Sequence, residues 1–243
     1  MNRGLGALLL LLAIAAPALA QPRLIPRSTL PGIGSADPRR PVDGTAAPWR
    51  ALGRVQLEIG GRCTGTLVGP RTVLTAAHCL VSPRSQQLVQ PGTVHFLLGY
   101  RQGEYVAHAR VSAYRIGPGY SPGATGSAAD WALLTLEVAL PADRVLPLLR
   151  EAPAPRSALM LGGYQQDRPE VLLADTGCRA IGISREAGQP VLMHDCAGTR
   201  GSSGAPLLAQ ADGRWGVAGV ASRVQLDVAL GQAVPAGSVG AVP

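Results

Sequence analysis

Three short motifs contain the side chains that hydrolytic enzymes use for covalent catalysis. His78 follows an apolar run, Asp130 precedes another, and Ser203 lies within a Gly-Ser-Ser-Gly turn. A serine hydroxyl is a weak nucleophile at neutral pH, so it needs a base such as His78 to accept its proton. A carboxylate such as that of Asp130 fixes the tautomer and orientation of the imidazole. The motifs therefore predict nucleophilic catalysis by a His-Asp-Ser triad.

The motifs also resemble those of a known enzyme family. They read Thr75-Ala76-Ala77-His78-Cys79, Asp130-Trp131-Ala132-Leu133-Leu134 and Gly201-Ser202-Ser203-Gly204-Ala205-Pro206. In content and in chain order they resemble the chymotrypsin and trypsin-like serine peptidases, of the bacterial secreted type. The resemblance runs from about Trp49 to about Val224. It implies a serine endopeptidase that hydrolyses peptide bonds through an acyl-enzyme, with protein or peptide substrates and no cofactor.

The resemblance also implies a fold and an arrangement of the site. The family has an all-β fold of two antiparallel six-stranded β-barrels, with the active site in the cleft between them. His78 and Asp130 would lie on the first barrel and Ser203 on the second. The amides of Gly201 and Ser203 would form the oxyanion hole, and Ser222 matches a serine that hydrogen-bonds the catalytic Asp.

The composition independently favours many short strands. The chain is 47% apolar and only 15% charged, with 31 Gly and 21 Pro, which is typical of strands joined by tight turns. The first series of β-rich runs comprises Arg54–Glu58, Thr64–Val68, Thr72–Thr75, Val94–Leu98, Tyr105–Tyr114 and Trp131–Glu137. The second comprises Ala158–Gly162, Val171–Ala174, Arg179–Ile183, Val191–His194, Ala205–Ala209 and Gly216–Ser222.

The segments before, between and after these β-rich runs predict the domain organisation. We expect a signal peptide at 1–20, a Pro-rich arm or pro-segment at 21–48, a peptidase domain at 49–230 and a C-terminal tail at 231–243. The first barrel would occupy about 49–140 and the second about 155–230. A stretch rich in Pro and Ala, Val138–Arg156, reads as the linker between them.

The N-terminus has the pattern of an export signal. Arg3 precedes a short apolar run, and Ala18-x-Ala20 fits signal peptidase. The run is shorter than the roughly 20 residues of a membrane span, so an uncleaved anchor is the weaker alternative. We therefore expect an exported protein, periplasmic or extracellular, that is monomeric and has no stable membrane anchor after cleavage.

Four cysteines fit this oxidising destination. Cys63, Cys79, Cys178 and Cys196 allow three disulfide pairings, and the sequence has neither the Cys-x-x-Cys nor the His-x₃₋₅-His spacing of a zinc site. No metal is expected. The resemblance implies that Cys63 pairs with Cys79 beside the catalytic His, which leaves Cys178 to pair with Cys196.

Residues at the implied substrate pocket carry no charge. Ala197 stands at the position that floors the pocket in the family, and Ala221 stands where glutamyl endopeptidases have a His. Ser222, directly after Ala221, is assigned to the pocket with them. A pocket without charge favours an uncharged substrate residue. Asp195 leaves basic specificity open, if a shifted loop brings it into the pocket.

Activation by a buried N-terminal salt bridge is not expected. In many members of the family the residue before the nucleophile is an Asp, but here it is Ser202. We expect the Cys178–Cys196 disulfide to hold the loop instead, and the Pro-rich arm to be dispensable for switching.

Other functions fit less well. An α/β-hydrolase would need a glycine in place of Ala205 and the chain order Ser, Asp, His. The net charge of +7 comes from 22 scattered arginines with few aromatics, so nucleic-acid binding is not expected. His95, His108 and His194 read as packing or surface residues. A secreted binding protein that kept the fold but lost catalysis remains the alternative, although no triad member is substituted.

Overall fold

A computed structural model describes residues 30–123 and 126–242, so the predicted signal peptide at 1–20 lies outside the described residues. Within these residues the chain is all-β, and its helical pieces are 3₁₀ turns of three or four residues. In chain order the strands are β1 (Arg40–Pro41), β2 (Leu52–Leu57), β3 (Arg62–Gly69), β4 (Thr72–Thr75), β5 (Val94–Leu98), β6 (Ala107–Ile116), β7 (Ala132–Leu136), β8 (Ala158–Gly163), β9 (Leu173–Glu186), β10 (Gln189–His194), β11 (Pro206–Ala211), β12 (Arg214–Val224) and β13 (Gly231–Pro235).

Six strands close the first barrel in the order β2-β3-β4-β7-β6-β5. Alternation of side chains along each strand explains the closure. In β5, for example, Val94, Phe96 and Leu98 are buried inside the barrel, whereas His95 and Leu97 between them are only half-buried. Full burial of an apolar side chain of this size contributes about 1.5 to 3 kcal/mol.

The other long strands form a second closed barrel. Its ring runs β8-β9-β10-β13-β12-β11, and β11 pairs back to β8. All pairings are antiparallel, so the predicted fold of two antiparallel six-stranded barrels is confirmed. The short strand β1 adds to the outside of β9.

The second barrel differs from the sequence prediction at two places. Val171–Ala174 and Arg179–Ile183, expected as separate strands, belong largely to β9, because a β-bulge opposite Met160 absorbs the residues between them without ending the ladder. Residues 231–235, assigned to a C-terminal tail, instead form β13. This strand pairs with both β10 and β12 and completes the barrel.

The described part of the Pro-rich arm packs against the second barrel. Leu30 and Ile33 are buried against Ala197, and the Val42 amide donates to the Leu172 carbonyl oxygen. The described part of the arm has no core of its own, as expected from its sequence, but it shares one with the second barrel.

An apolar interface joins the two barrels. Trp49, Leu52 and Trp131 from the first side share one buried cluster with Leu208 and Val217 from the second. The predicted linker runs along this interface: the Leu146 amide donates to Leu67 in β3, and the Leu149 amide donates to Val217 in β12. No helix in the described ranges has the length and apolar character needed to cross a bilayer.

Candidate active site

Strand pairing in the first barrel brings His78 and Asp130 together. Strands β4 and β7 are antiparallel neighbours with Thr75 opposite Ala132. The segment after β4 and the segment before β7 therefore meet at the same edge of the barrel. His78 lies in the 3₁₀ turn Ala77–Leu80 that follows β4, and Asp130 lies just before β7.

Two hydrogen bonds connect these residues. The His78 amide donates to Oδ1 of Asp130 at 2.9 Å, and Nδ1 of the ring lies 2.7 Å from Oδ2. Because Nδ1 faces a carboxylate, it carries the proton of the neutral ring, and Nε2 is left as the acceptor. The side chain of His78 is 38% exposed, whereas that of Asp130 is 3% exposed. The pair therefore presents a basic nitrogen to the cleft.

Asp130 is held in its charged form. Burial raises the pKa of its carboxyl, but the hydrogen bond and charge interaction with His78 and the hydrogen bond from the Ser222 hydroxyl outweigh burial, so the pKa is lowered overall. Ser222 lies in β12 of the second barrel, and its Oγ donates to Oδ2 at 2.5 Å. The expected contact between Ser222 and the aspartate is thus present in the structure.

Ser203 lies in a tight loop, Thr199–Gly204, which we call the nucleophile loop. The Ser202 hydroxyl is buried and donates to the Thr199 carbonyl oxygen at 2.6 Å. Ser203 is partly exposed, and among the described residues its hydroxyl has no hydrogen-bond partner, including His78. Apo catalytic hydrogen bonds are often long or absent and form when substrate binds.

Gly201 and Gly204 give the loop its shape. Both have positive φ, +94° and +76°, which L side chains rarely adopt. A β-carbon at Gly201 would clash with the Tyr164 carbonyl oxygen, and one at Gly204 would clash with the Thr75 hydroxyl. In the described part of the chain the amides of Gly201 and Ser203 donate to no protein acceptor. Both donors are available to a ligand.

Thr64 fastens the nucleophile loop to the first barrel. Its amide donates to the Ser203 carbonyl oxygen and its hydroxyl donates to the Gly201 carbonyl oxygen, both at 2.9 Å. The same hydroxyl accepts from the Tyr164 amide at 2.9 Å. Thr64 was not predicted from the sequence as a site residue. The one feature that could have indicated it is its position directly after Cys63.

A cavity of about 230 Å³ lies beside Ser203. Two of the three residues assigned to the substrate pocket, Ala221 and Ser222, line it. Ala197 does not line it, because this residue is fully buried behind the arm and packs on Leu30 and Ile33. Its amide donates to Asp175 at 2.9 Å.

His194, expected from the sequence to be a packing residue, lines this cavity too. It is fully buried, and burial lowers its pKa to about 4, so the ring is neutral near pH 7. Nδ1 accepts from the Cys196 amide at 3.2 Å, which places the proton on Nε2. That Nε2 has no hydrogen-bond partner within the described residues.

Arginines rather than acids approach the cavity. Arg200 and Arg223 both line it. Asp195, considered as a possible pocket residue, is exposed and accepts a hydrogen bond from the Arg179 amide at 2.5 Å, and it does not line the cavity. A second cavity of about 390 Å³ includes His78 and Asp130, and it shares Ser222 and Arg223 with the first.

The cysteines form the disulfides Cys63–Cys79 and Cys178–Cys196. Two clusters of possible metal-ligand atoms occur in the described residues, Cys63 with His78 and Cys79, and Cys178 with Asp195 and Cys196. Each contains both sulfurs of a disulfide. Coordination by cysteine requires the thiolate, so neither disulfide-containing cluster offers the ligand set of a zinc site while oxidised.

The remaining histidines lie apart from this site. His95 and His108 stack on each other with ring centroids 5.1 Å apart, on adjacent strands of the first barrel. His95 Nε2 also lies 3.0 Å from the Glu58 carboxylate.

Comparisons with known proteins find similar sequences and a similar fold. The chain is 40% identical over 73 residues to a glutamyl endopeptidase from Bacillus licheniformis, a match that spans 30% of this chain and 23% of that protein. The chain thus matches less than a quarter of that relative's length. A solved structure of a Glu endopeptidase in complex with MPD superimposes with a TM-score of 0.70 at 19% identity, covering 84% of this chain and 93% of that chain.

A family model provides the assignment. The model for the trypsin-like peptidase domain matches residues 63–220, which is more than half of the 243-residue chain. The matched region includes His78, Asp130 and Ser203. This chain therefore belongs to the trypsin-like peptidase domain family.

Proposed function

We propose that this chain is an exported serine endopeptidase that hydrolyses peptide bonds with His78, Asp130 and Ser203. The observation that carries the proposal is the His78–Asp130 pair, in which a buried carboxylate leaves Nε2 of the ring free at the cleft. Family membership and the two disulfides support it.

The proposed reaction assigns one step to each donor and acceptor of the site. Oγ of Ser203 attacks the carbonyl carbon of the scissile bond while Nε2 of His78 takes the hydroxyl proton. The amides of Gly201 and Ser203 stabilise the negative oxygen of the tetrahedral intermediate. His78 then returns the proton to the departing amine, leaving an acyl-enzyme. Water, activated by the same nitrogen, releases the acid and regenerates Ser203.

The competing function is a binding protein that retains the fold without catalysis. A fluorophosphonate probe separates the two, because it reacts with a serine only when a base activates it. We expect stoichiometric labelling of the purified chain, with mass spectrometry placing the adduct on Ser203 rather than Ser202. Labelling should be absent in Ser203→Ala and His78→Ala. An unlabelled, folded chain would support the binding protein.

We further propose that the pocket prefers an acidic substrate residue, in place of the uncharged residue expected from the sequence. That expectation depended on Ala197 and Ala221, of which only Ala221 lines the cavity. The cavity also has Arg200 and Arg223, and within the described residues the Nε2–H of His194 has no acceptor. A carboxylate would supply that acceptor, and an unpaired buried donor costs about 1 to 3 kcal/mol. The glutamyl endopeptidase relative is consistent with this preference.

Peptides that differ only in the residue before the scissile bond test the preference. We expect kcat/KM to be highest for Glu, and His194→Phe to lower it roughly 10- to 100-fold for Glu while leaving Ala and Leu peptides little changed. His108→Phe, on the first barrel, is the control. Cleavage chiefly after Ala or Leu would restore the sequence expectation, and cleavage after Arg would contradict both.

A further inference from the structure

A buried arginine in the arm lies at the start of a hydrogen-bond chain that ends in the nucleophile loop. Arg39 is 5% exposed, and all five of its side-chain N–H groups have acceptors. Nε and Nη2 donate to Asp37, and Nη1 and Nη2 donate to Asp167, at 2.8 to 3.0 Å. Burial alone lowers the pKa of the guanidinium, but these carboxylates raise it overall. Arg39 is therefore a fixed, paired cation.

Gln165 continues the chain from Arg39 to the loop. Its Oε1 accepts from Nη1 of Arg39 at 2.7 Å and from the Thr199 amide at 2.9 Å. Next to it, the Gln166 amide donates to the Arg200 carbonyl oxygen at 2.7 Å, and its side-chain amide donates to the Thr199 hydroxyl at 3.0 Å. The backbone of the loop is thus held from Thr199 to Arg200, directly before Gly201.

Close packing makes Gly201 sensitive to this support. Its Cα faces the Tyr164 carbonyl oxygen and Cα of Gln165 so closely that a β-carbon would not fit. A displacement of Gln165 would therefore change the position of Gly201. The Gly201 amide is one of the two donors assigned to the oxyanion, and misplacing a catalytic group by about 1 Å can cost on the order of 10²-fold in rate.

The arm makes a second contact on the same side of the loop. The Gly198 amide donates to the Gly32 carbonyl oxygen at 3.1 Å, and Gly32 has a φ of +78°. A β-carbon at Gly32 would clash with the Gly198 carbonyl oxygen. Pro31, the residue directly before Gly32, lines the cavity beside Ser203.

We infer that residues 30–39 of the arm are a built-in part of the catalytic domain, in which Arg39 is a positioning residue that holds the oxyanion donors through Gln165. The inference concerns regulation of the proposed active site and rests on that proposed function. It replaces the expectation that the arm is dispensable. The Cys178–Cys196 disulfide is present, but it reaches the chain five residues before Gly201, whereas Gln165 contacts Thr199 directly.

Two removal variants and their matched partners test the inference in the chain expressed from Gln21. Arg39→Met and Gln165→Leu break the hydrogen-bond chain at different points. Gln165→Glu keeps an oxygen for both donors, and Arg40→Met changes a neighbouring exposed arginine whose hydrogen bonds within the described residues go to backbone carbonyls. We expect kcat to fall roughly 10- to 100-fold in the first two, with KM within about threefold, and Gln165→Glu to recover most of the loss relative to Gln165→Leu.

Hydrogen exchange gives a readout that does not depend on activity. Amides of residues 196–205 should exchange faster in Arg39→Met and Gln165→Leu than in Arg40→Met, at temperatures where circular dichroism shows all variants folded. If Arg39→Met does not fold, the two Gln165 variants decide. Unchanged kcat and unchanged exchange in the removal variants would overturn the inference. If fluorophosphonate does not label the unmodified chain, the proposed function is overturned instead. Hydrogen exchange would still test whether Arg39 and Gln165 hold the nucleophile loop.

Discussion

Ser222 of the second barrel donates a 2.5 Å hydrogen bond to the Asp130 carboxylate of the first. The donor thus lies on the opposite side of the cleft from the residue that it supports. Removal of this donor raises the pKa of Asp130 and loosens the orientation of His78. We expect Ser222→Ala to lower kcat/KM by about threefold to tenfold, measured with one peptide substrate at neutral pH. Ser112→Ala, on the outside of the first barrel, should have no effect. Equal activity in Ser222→Ala would show that the hydrogen bond does not support catalysis.

Removal of the Ser203 hydroxyl should abolish the covalent route. We expect Ser203→Ala to lose about 10⁴ to 10⁶ in turnover while its melting temperature stays close to that of the parent, because Ser203 Oγ makes no hydrogen bond within the described structure. Ser202→Ala should behave differently. It removes a buried hydrogen bond to Thr199, so it should reduce stability by about 1 kcal/mol and leave most activity. The opposite ranking of the two serines would contradict the assignment of the nucleophile.

Acid should destabilise the protein through His194. Burial lowers the pKa of this ring from 6.5 to about 4, so between these values the unfolded chain binds a proton that the folded chain does not. Stability contributed by neutral His194 is therefore present above about pH 6.5 and is lost as pH falls towards 4. The gap corresponds to about 3 kcal/mol. In urea titrations between pH 6.5 and 4, the free energy of unfolding should fall by about 3 kcal/mol more in the parent than in His194→Phe. Equal losses in the two proteins would mean that His194 is not buried in its neutral form.

The two disulfides should contribute similarly to stability. Their sequence separations are 16 and 18 residues, and closure of a loop of that length is worth roughly 3 kcal/mol. We expect Cys63→Ser/Cys79→Ser and Cys178→Ser/Cys196→Ser to lower the free energy of unfolding by similar amounts. Urea denaturation of both double variants measures this. A large difference between them would mean that local packing, not loop closure, determines the effect.

The parts of the fold that the sequence predicts are those with local patterns. Apolar residues occupy every second position of the β5 run, Val94, Phe96 and Leu98, and the turn around Ser203 is marked by glycines on both sides, so both can be predicted without reference to neighbouring strands. The resemblance further implied Ser222 beside Asp130 and the pairing of the cysteines. β13 was missed because its five residues are small or polar apart from one valine, and pairing on both edges makes it a strand.

The supports of the candidate site could not be predicted in this way. Thr64 contacts Gly201 across a sequence separation of 137 residues, and Arg39 contacts Gln165 across 126. A single buried hydrogen-bonding side chain leaves no periodicity around it. The role of Thr64 and Arg39 arises only when the two barrels and the arm are brought together.

Because the site is divided between two barrels, catalytic activity depends on the relative orientation of the barrels. His78 and Asp130 belong to one barrel and Ser203 and Ser222 to the other, and across the cleft they are joined by the hydrogen bonds of Thr64 and Ser222. Each barrel is closed by its own hydrogen bonds, so a small rotation at the apolar interface leaves both intact while separating the base from the nucleophile. Warming or mild denaturant should therefore extinguish hydrolysis before the β-sheet signal in circular dichroism changes.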